Sequence, residues 1–204
     1  MSQKDMWEIE REYFDRGYRV ICGVDEAGRG PLAGPVCAAA VILPAGLVID
    51  GLDDSKKLSD KRRRELFPVI KESALAYGVA FASESEIDEI NILQATFLAM
   101  ERALQQLSIK PELALIDGNR LKDFGIPAES IVHGDSRSAS IAAASVLAKV
   151  TRDDYMLEMA EQYPVYGFDV HKGYGTKVHS SAILDNGPCP IHRKTFLKKL
   201  YGQK

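Results

Sequence analysis

Three short apolar runs, each closed by an acid, constrain this chain most. Arg19 to Val24 runs into Asp25-Glu26, Leu113 to Ile116 into Asp117-Gly118-Asn119, and Ile131-Val132 into His133-Gly134-Asp135. Runs of this length are too short for helices and read as strands. In open α/β sheets ligands collect beyond the carboxyl ends of strands, so acids far apart in sequence can converge there. Four carboxylates so gathered repel one another: without a cation at least one stays protonated, and the oxygen-only set suits Mg²⁺ or Mn²⁺ better than zinc. The plainer account of any one of them is a surface turn residue, because Asp-Gly pairs are common in turns. Asp25 and Glu26 add a requirement. Neighbours in a regular strand point to opposite faces, so both serve one site only if the strand bends at Glu26.

The remaining pattern places these strands in a layered fold. Met6, Ile9, Tyr13 and Phe14 recur at helical spacing with Gly17 as a stop, predicting a short opening helix. Pro35 to Leu43 (PVCAAAVIL) predicts a strand antiparallel to the first, joined to it by a glycine-rich loop. The charged stretch Asp53 to Glu72 predicts a helix around Lys61 to Phe67, with Pro68 marking an end or kink. Ala74 to Ala82 reads as a third strand. Ser85 with Asp88 resembles a capping box, and the helical period then runs from Ile90 to Leu107 before Pro111. Ala-rich helix formers from Ser138 to about Glu161 leave Asp135 just ahead of a helix start. Strands first, then alternating helix and strand, indicate an α/β fold with a mixed sheet. With 204 residues and no break in composition or internal repeat, residues 1–204 are expected to form one domain.

The formal charge of -3 is unevenly placed: from His171 to Lys204, seven Lys/Arg stand against one acid, Asp185. Such a basic C-terminal segment is the footprint of a face that meets a polyanion, or simply of a solvated helix. Cys22, Cys37 and Cys189 lack metal-ligand spacing and suit a reducing cytoplasm, and Cys189-Pro-Ile-His192 reads as an incidental C-x-x-H. The acidic N-terminus lacks the apolar run of a signal peptide, and no stretch is long enough to span a membrane, so a cytoplasmic protein is expected.

Gly28-Arg29-Gly30 is not a dinucleotide fingerprint, since Pro31 and a strand follow it, and Gly173-Tyr174-Gly175-Thr176-Lys177 lacks the spacing of a Walker loop. Glycines around an arginine allow close backbone approach to a ligand and offer a guanidinium for phosphate. A flexible hairpin turn is the bland alternative.

Six blocks together resemble one family. DEAGRG (25–30), DSKKL (54–58), LIDG (115–118), GDSRSASIAAASVLAKVTRD (134–153), HKGYGT (171–176) and GPCPIHR (187–193) are similar to ribonuclease HII, in the family's order and over nearly the whole chain. The resemblance implies a ribonuclease H-like fold, a mixed central sheet flanked by helices with a C-terminal helical extension. It also implies metal-dependent endonucleolysis of RNA in RNA/DNA hybrids and 5′ of single ribonucleotides embedded in duplex DNA, leaving 5′-phosphate and 3′-hydroxyl ends, in ribonucleotide and primer removal. Only 24 residues precede Asp25, which favours this type over ribonuclease HIII with its extra N-terminal domain.

By the same resemblance Asp25, Glu26, Asp117 and Asp135 are the catalytic and metal-holding carboxylates, with two Mg²⁺ or Mn²⁺ ions about 4 Å apart activating water and stabilising the leaving 3′ oxygen. Gly28, Arg29 and Gly30 are implied to read the 2′-OH, and Tyr174 to pack on the following sugar. Lys56, Lys57, Lys172, Lys177 and Arg193 are assigned to phosphates. His171, His179 and His192 are read as structural or phosphate-contacting, not as metal ligands. The implied partners are RNA/DNA hybrids and ribonucleotide-containing duplex DNA, with the protein acting as a monomer. Two other readings stay open: a DNA-directed nuclease or resolvase of the same fold, and a non-catalytic nucleic-acid-binding module whose acids hold a structural cation.

Overall fold

The computed structural model describes residues 5–198 and 200–202. Five strands, β1 (Ile21–Ala27), β2 (Val36–Ile42), β3 (Ala76–Ala82), β4 (Leu113–Asp117) and β5 (Ala128–Ile131), form one sheet in the order β3-β2-β1-β4-β5. β1 pairs antiparallel with β2 and parallel with β4, which pairs parallel with β5. The carboxyl ends of β1, β4 and β5 therefore share one edge of the sheet.

Every residue of β2 is buried, because helices cover both faces. Val36, Ala38, Ala40 and Ile42 pack with Cys22 and Val24 of β1 against α3 (Glu84–Gln105), while Cys37, Ala39 and Val41 pack against α4 (Ala139–Gln162). Glycine and small side chains set how closely α4 approaches. A Cβ on Gly23 of β1 would meet the Ser140 backbone carbon at 2.1 Å, so the helix lies almost directly on the strand. Its start is held by α1 (Glu8–Asp15): the buried Glu10 accepts from Ser138 Oγ and Ser140 Oγ at 2.5 Å and from the Ser140 N–H at 3.0 Å.

Several local expectations are revised. The helix predicted to end or kink at Pro68 is α2 (Asp60–Ser73), which runs through it. Pro68 lies on the exposed side, where water reaches the carbonyl it frees, while Leu66 and Ile70 anchor the buried side. The capping box is Ser83 with Glu86, not Ser85 with Asp88. Asp88 instead accepts from Lys194 N–H, Thr195 N–H and Thr195 Oγ1, and so caps α7 (Lys194–Leu197). Helix α3 is interrupted at Asn91 (φ 67°), whose Oδ1 accepts from the N–H groups of Leu93 and Gln94 and restarts it. The last predicted strand ends at Ile131, since His133 is left-handed (φ 55°). The C-terminal helices are α5 (Phe168–His171), α6 (Lys177–Asn186) and α7; of the basic segment, Lys199 and Lys204 lie outside the described residues.

Candidate active site

Asp25 lies one residue beyond the last β1–β4 pair, Val24↔Ile116, which sets it next to Asp117. Asp117 ends β4 and draws in the segment after β5: its Oδ1 accepts from the Gly134 N–H at 2.7 Å and the Asp135 N–H at 3.3 Å. A Cβ on Gly134 would meet Ile141 Cδ1 at 2.5 Å, so a larger residue there would have to push the Ile141 side chain aside. Asp25, Asp117 and Asp135 thus offer carboxylate oxygens all within 4.8 Å of one another.

Glu26 stands differently. The bend expected there does not occur: β1 stays paired with β2 through Ala27↔Cys37, and the pleat sends Asp25 to the α4 side and Glu26 to the α3 side. Glu26 reaches the same cleft from across Asp117 and pairs with Arg29 Nη1 at 3.2 Å, outside the three-aspartate group.

The electrostatics follow from burial. Burial, then the charges of Glu26 and Asp117, push the Asp25 carboxyl well above the ordinary range. Burial and Asp117 also raise Asp135, and burial raises Glu26 against the pull of Arg29. Lys56 Nζ stands 3.2 Å from Asp135 Oδ2 as a partial counter-charge. Its partial burial, which lowers its pKa, is outweighed by Asp135 and Asp25, which raise it. Three crowded, oxygen-only ligands whose repulsion a dication would relieve fit a hard divalent ion such as Mg²⁺ or Mn²⁺.

Beside the carboxylates the cleft is lined by Gly28, Arg29, Gly30, Lys56, Lys149 and Tyr174. Tyr174 is 44% exposed, with Lys149 Nζ and Arg152 Cζ each 5.9 Å from the centroid of its ring. Gly28 has a φ of 95°, and a Cβ on it would overlap Arg152 Nε at 2.0 Å; Gly30 has room, the nearest atom being Tyr174 Cε1 at 3.8 Å.

A family model for ribonuclease HII matches residues 22–201. The chain belongs to the ribonuclease HII family. The ribonuclease HII of Caldicellulosiruptor saccharolyticus is 51% identical over 197 residues, covering 97% of this chain and 96% of its own. That of Endomicrobium trichonymphae is 56% identical over 193 residues, covering 94% and 92%. The solved ribonuclease H2 from Pyrococcus horikoshii OT3 is similar to this chain with a TM-score of 0.74 at 26% identity, over 90% of this chain and 98% of that one. Membership of ribonuclease HII makes the protein an endoribonuclease with ribonuclease H activity, and the mixed sheet flanked by helices is that family's fold. No helix among the described residues is long and apolar enough to cross a membrane.

One residue assigned to phosphate is not available to it. Arg193 is 0% exposed, and its guanidinium donates to the carbonyls of Gly34 (2.8 Å), Arg29 (2.9 Å) and Gly28 (2.6 Å). It sits beneath the Gly28–Gly30 turn as a brace. The lysines divide: Lys56 is at the carboxylates, Lys57 pairs with Asp53 and Asp54, Lys172 donates to the Asp169 carbonyl, and Lys177 is exposed at the start of α6. His179 and His192 are buried and hydrogen-bonded to each other, which of the two roles expected for them, structural or phosphate-contacting, leaves the structural one.

Other residues of this ribonuclease HII site escaped sequence reading. Ser145 holds the Asp25 carboxyl down against the effect of burial and shares a 2.6 Å bond with Ser55. Lys149 lines the cleft and pairs with Asp153 at 2.8 Å. Arg152, buried, donates to the carbonyls of Pro35, Lys172 and Ala33 and ties the turn to the strand-loop around Tyr174. The available signal was the abrupt change in α4 from small residues to Lys149, Arg152 and Asp153, charges that follow an Ala-rich run.

Proposed function

We propose that this protein hydrolyses the RNA strand of RNA/DNA hybrids and cuts duplex DNA 5′ of single embedded ribonucleotides, leaving 5′-phosphate and 3′-hydroxyl ends. The observation that carries this reading is the meeting of Asp25, Asp117 and Asp135 within 4.8 Å, on a cleft that also holds the Gly28–Gly30 turn and Tyr174. Mg²⁺ or Mn²⁺ held by the three aspartates, with Glu26 alongside, would supply an activated water and neutralise charge at the scissile phosphate. The chain's own groups decide where that chemistry falls. Backbone groups of the turn meet the 2′-OH, the one substituent that distinguishes RNA from DNA at a given position. The exposed face of Tyr174 packs on the next sugar and favours a deoxyribose there. Lys56 lies where it can hold the phosphate against the carboxylates, while Lys57, Lys172 and Lys177 contribute charge along the backbone, positioning the duplex without reading its sequence.

The test is a DNA duplex with one embedded ribonucleotide, incubated with and without Mg²⁺, beside its all-DNA counterpart. Metal-dependent cleavage 5′ of the ribonucleotide alone is the expected result. Cutting that ignores the ribose would identify a DNA-directed nuclease, and binding without cleavage in any metal would leave only a nucleic-acid-binding module.

A further inference from the structure

The two elements assigned to the sugar, the Gly28–Gly30 turn and Tyr174, are held from below by two consecutive residues. Arg193 takes the turn. Its side chain is fully buried, and its bonds go to the carbonyls of Gly28, Arg29 and Gly34. In a trans peptide the N–H points opposite to the C=O, so pinning the carbonyls of Gly28 and Arg29 turns the N–H groups of Arg29 and Gly30 away from the guanidinium. Neither N–H donates to any group among the described residues, and the turn lines the cleft. The fork thus leaves two adjacent donors free for a ligand. A lysine could not do this, since it lacks the planar array that reaches several carbonyls at once.

His192 takes Tyr174, through His179, and the hydrogen bonds fix the tautomer of both imidazoles. His179 Nδ1 lies 2.9 Å from the Tyr174 carbonyl, which only accepts, so this nitrogen carries the proton and Nε2 is bare. His192 Nε2, 3.0 Å from that bare nitrogen, must then be the donor, leaving His192 Nδ1 to accept from the Cys189 N–H at 2.9 Å. The Cys189 carbonyl, also near His192 Nδ1, receives the His192 backbone N–H instead, at 3.0 Å. The relay runs in one direction, from the Cys189 amide to the Tyr174 carbonyl, with both imidazoles neutral. Backbone bonds join its base to the turn: Arg193 N–H donates to Leu32 and Gly34 N–H to Ile191, both at 2.9 Å.

We propose that Arg193 and His179 are positioning residues for ribose recognition, the first aiming the amides of the Gly28–Gly30 turn and the second, seated on His192, fixing the backbone of Tyr174. The adjacency of Arg193 and His192 in sequence keeps the two sugar-reading elements in mutual register. This rests on the functional reading above, in which the turn and Tyr174 meet the sugars at the cut.

The experiment compares Arg193→Lys, His179→Leu, His179→Asn and Tyr174→Ala on a duplex with a single ribonucleotide, with folding checked by circular dichroism. Misaimed groups slow the chemical step more than they weaken phosphate-driven binding. In Arg193→Lys and His179→Leu, kcat is expected to fall about tenfold or more while KM stays within about twofold. His179→Asn keeps an N–H near the Nδ1 position and restores most of that loss. In ¹⁵N spectra of the wild-type protein, His179 carries its proton on Nδ1 and His192 on Nε2. If Tyr174→Ala lowers kcat but Arg193→Lys and His179→Leu keep the wild-type value, the assignment is overturned. Should Arg193→Lys not fold, the His179 pair decides, and equal kcat for the Leu and Asn variants overturns it. A neutral Tyr174→Ala removes the sugar-reading role itself, and the positioning role falls with it.

Discussion

Gly28→Ala places a methyl group where the buried Arg152 side chain lies. The new Cβ would stand 2.0 Å from Arg152 Nε and 2.9 Å from the Pro35 carbonyl oxygen, on a backbone with φ of 95°. Two costs add. The positive φ costs a side-chain-bearing residue roughly 1–2 kcal/mol. Arg152 must also move, and it holds the carbonyls of Pro35, Lys172 and Ala33. Loss of two such bonds to a charged donor, at about 1.5 kcal/mol each, gives about 3 kcal/mol. The sum, about 4–5 kcal/mol, is a large share of a typical domain's stability. Gly30→Ala is the control. Its Cβ would lie 3.8 Å from Tyr174 Cε1, and its φ is not left-handed, so it should change stability by about 0.5 kcal/mol or less. Urea denaturation followed by circular dichroism measures both, in the wild type and in an Arg152→Ala background. There Gly28→Ala should cost only the backbone share and the contact with the Pro35 carbonyl, a coupling of about 3 kcal/mol with Arg152. A Gly28→Ala protein of wild-type stability, or one whose cost is the same in both backgrounds, would refute the clash with Arg152.

Three further outcomes are expected. Asp117→Asn should fold normally and lower cleavage on the order of 10²-fold or more, and near-normal turnover in saturating Mg²⁺ would remove Asp117 from the reaction. Asp25→Asn should abolish cleavage yet raise the Tm of the metal-free protein at neutral pH, because the native Asp25 carboxyl is raised by burial and by Glu26 and Asp117. A raised carboxyl pKa costs stability above the unfolded value, so the gain should vanish below about pH 4, and a Tm unchanged at pH 7 would contradict it. Burial lowers the His179 and His192 pKa values, that of His192 to about 4. The unfolded chain therefore binds more protons between about pH 6.5 and 4, and native stability is lost as pH falls through that window. The stability gap between wild type and His192→Asn should narrow over the same range, and a gap independent of pH would refute the neutral pair.

The strands, their order along the chain and the acids at their ends were legible in the sequence, because apolar run length and Gly or Pro punctuation report local structure directly. The six blocks carried the family as well. What lay beyond reach depended on partners distant in the chain. Sequence could state that Asp25 and Glu26 serve one site only if β1 bends, but pairing with β2 through Ala27 decided that it does not, and left Glu26 beside the aspartates on the α3 face. The stretch Ser83-Glu84-Ser85-Glu86-Ile87-Asp88 offers two serines each followed three residues later by an acid. The choice fell to Ser83 because Arg102 pairs with Glu86 at 2.7 Å while Asp88 is used 106 residues away at the Lys194 N–H. Arg193, one of several basic residues near the C-terminus, reads as a phosphate contact. Only the passage of its loop beneath residues 28–34 makes it a buried guanidinium whose cost of desolvation is offset by two carbonyls of the turn and that of Gly34. Local pattern fixes which elements form, whereas the desolvation and hydrogen-bond accounting that assigns a charged side chain its role exists only once the elements have packed.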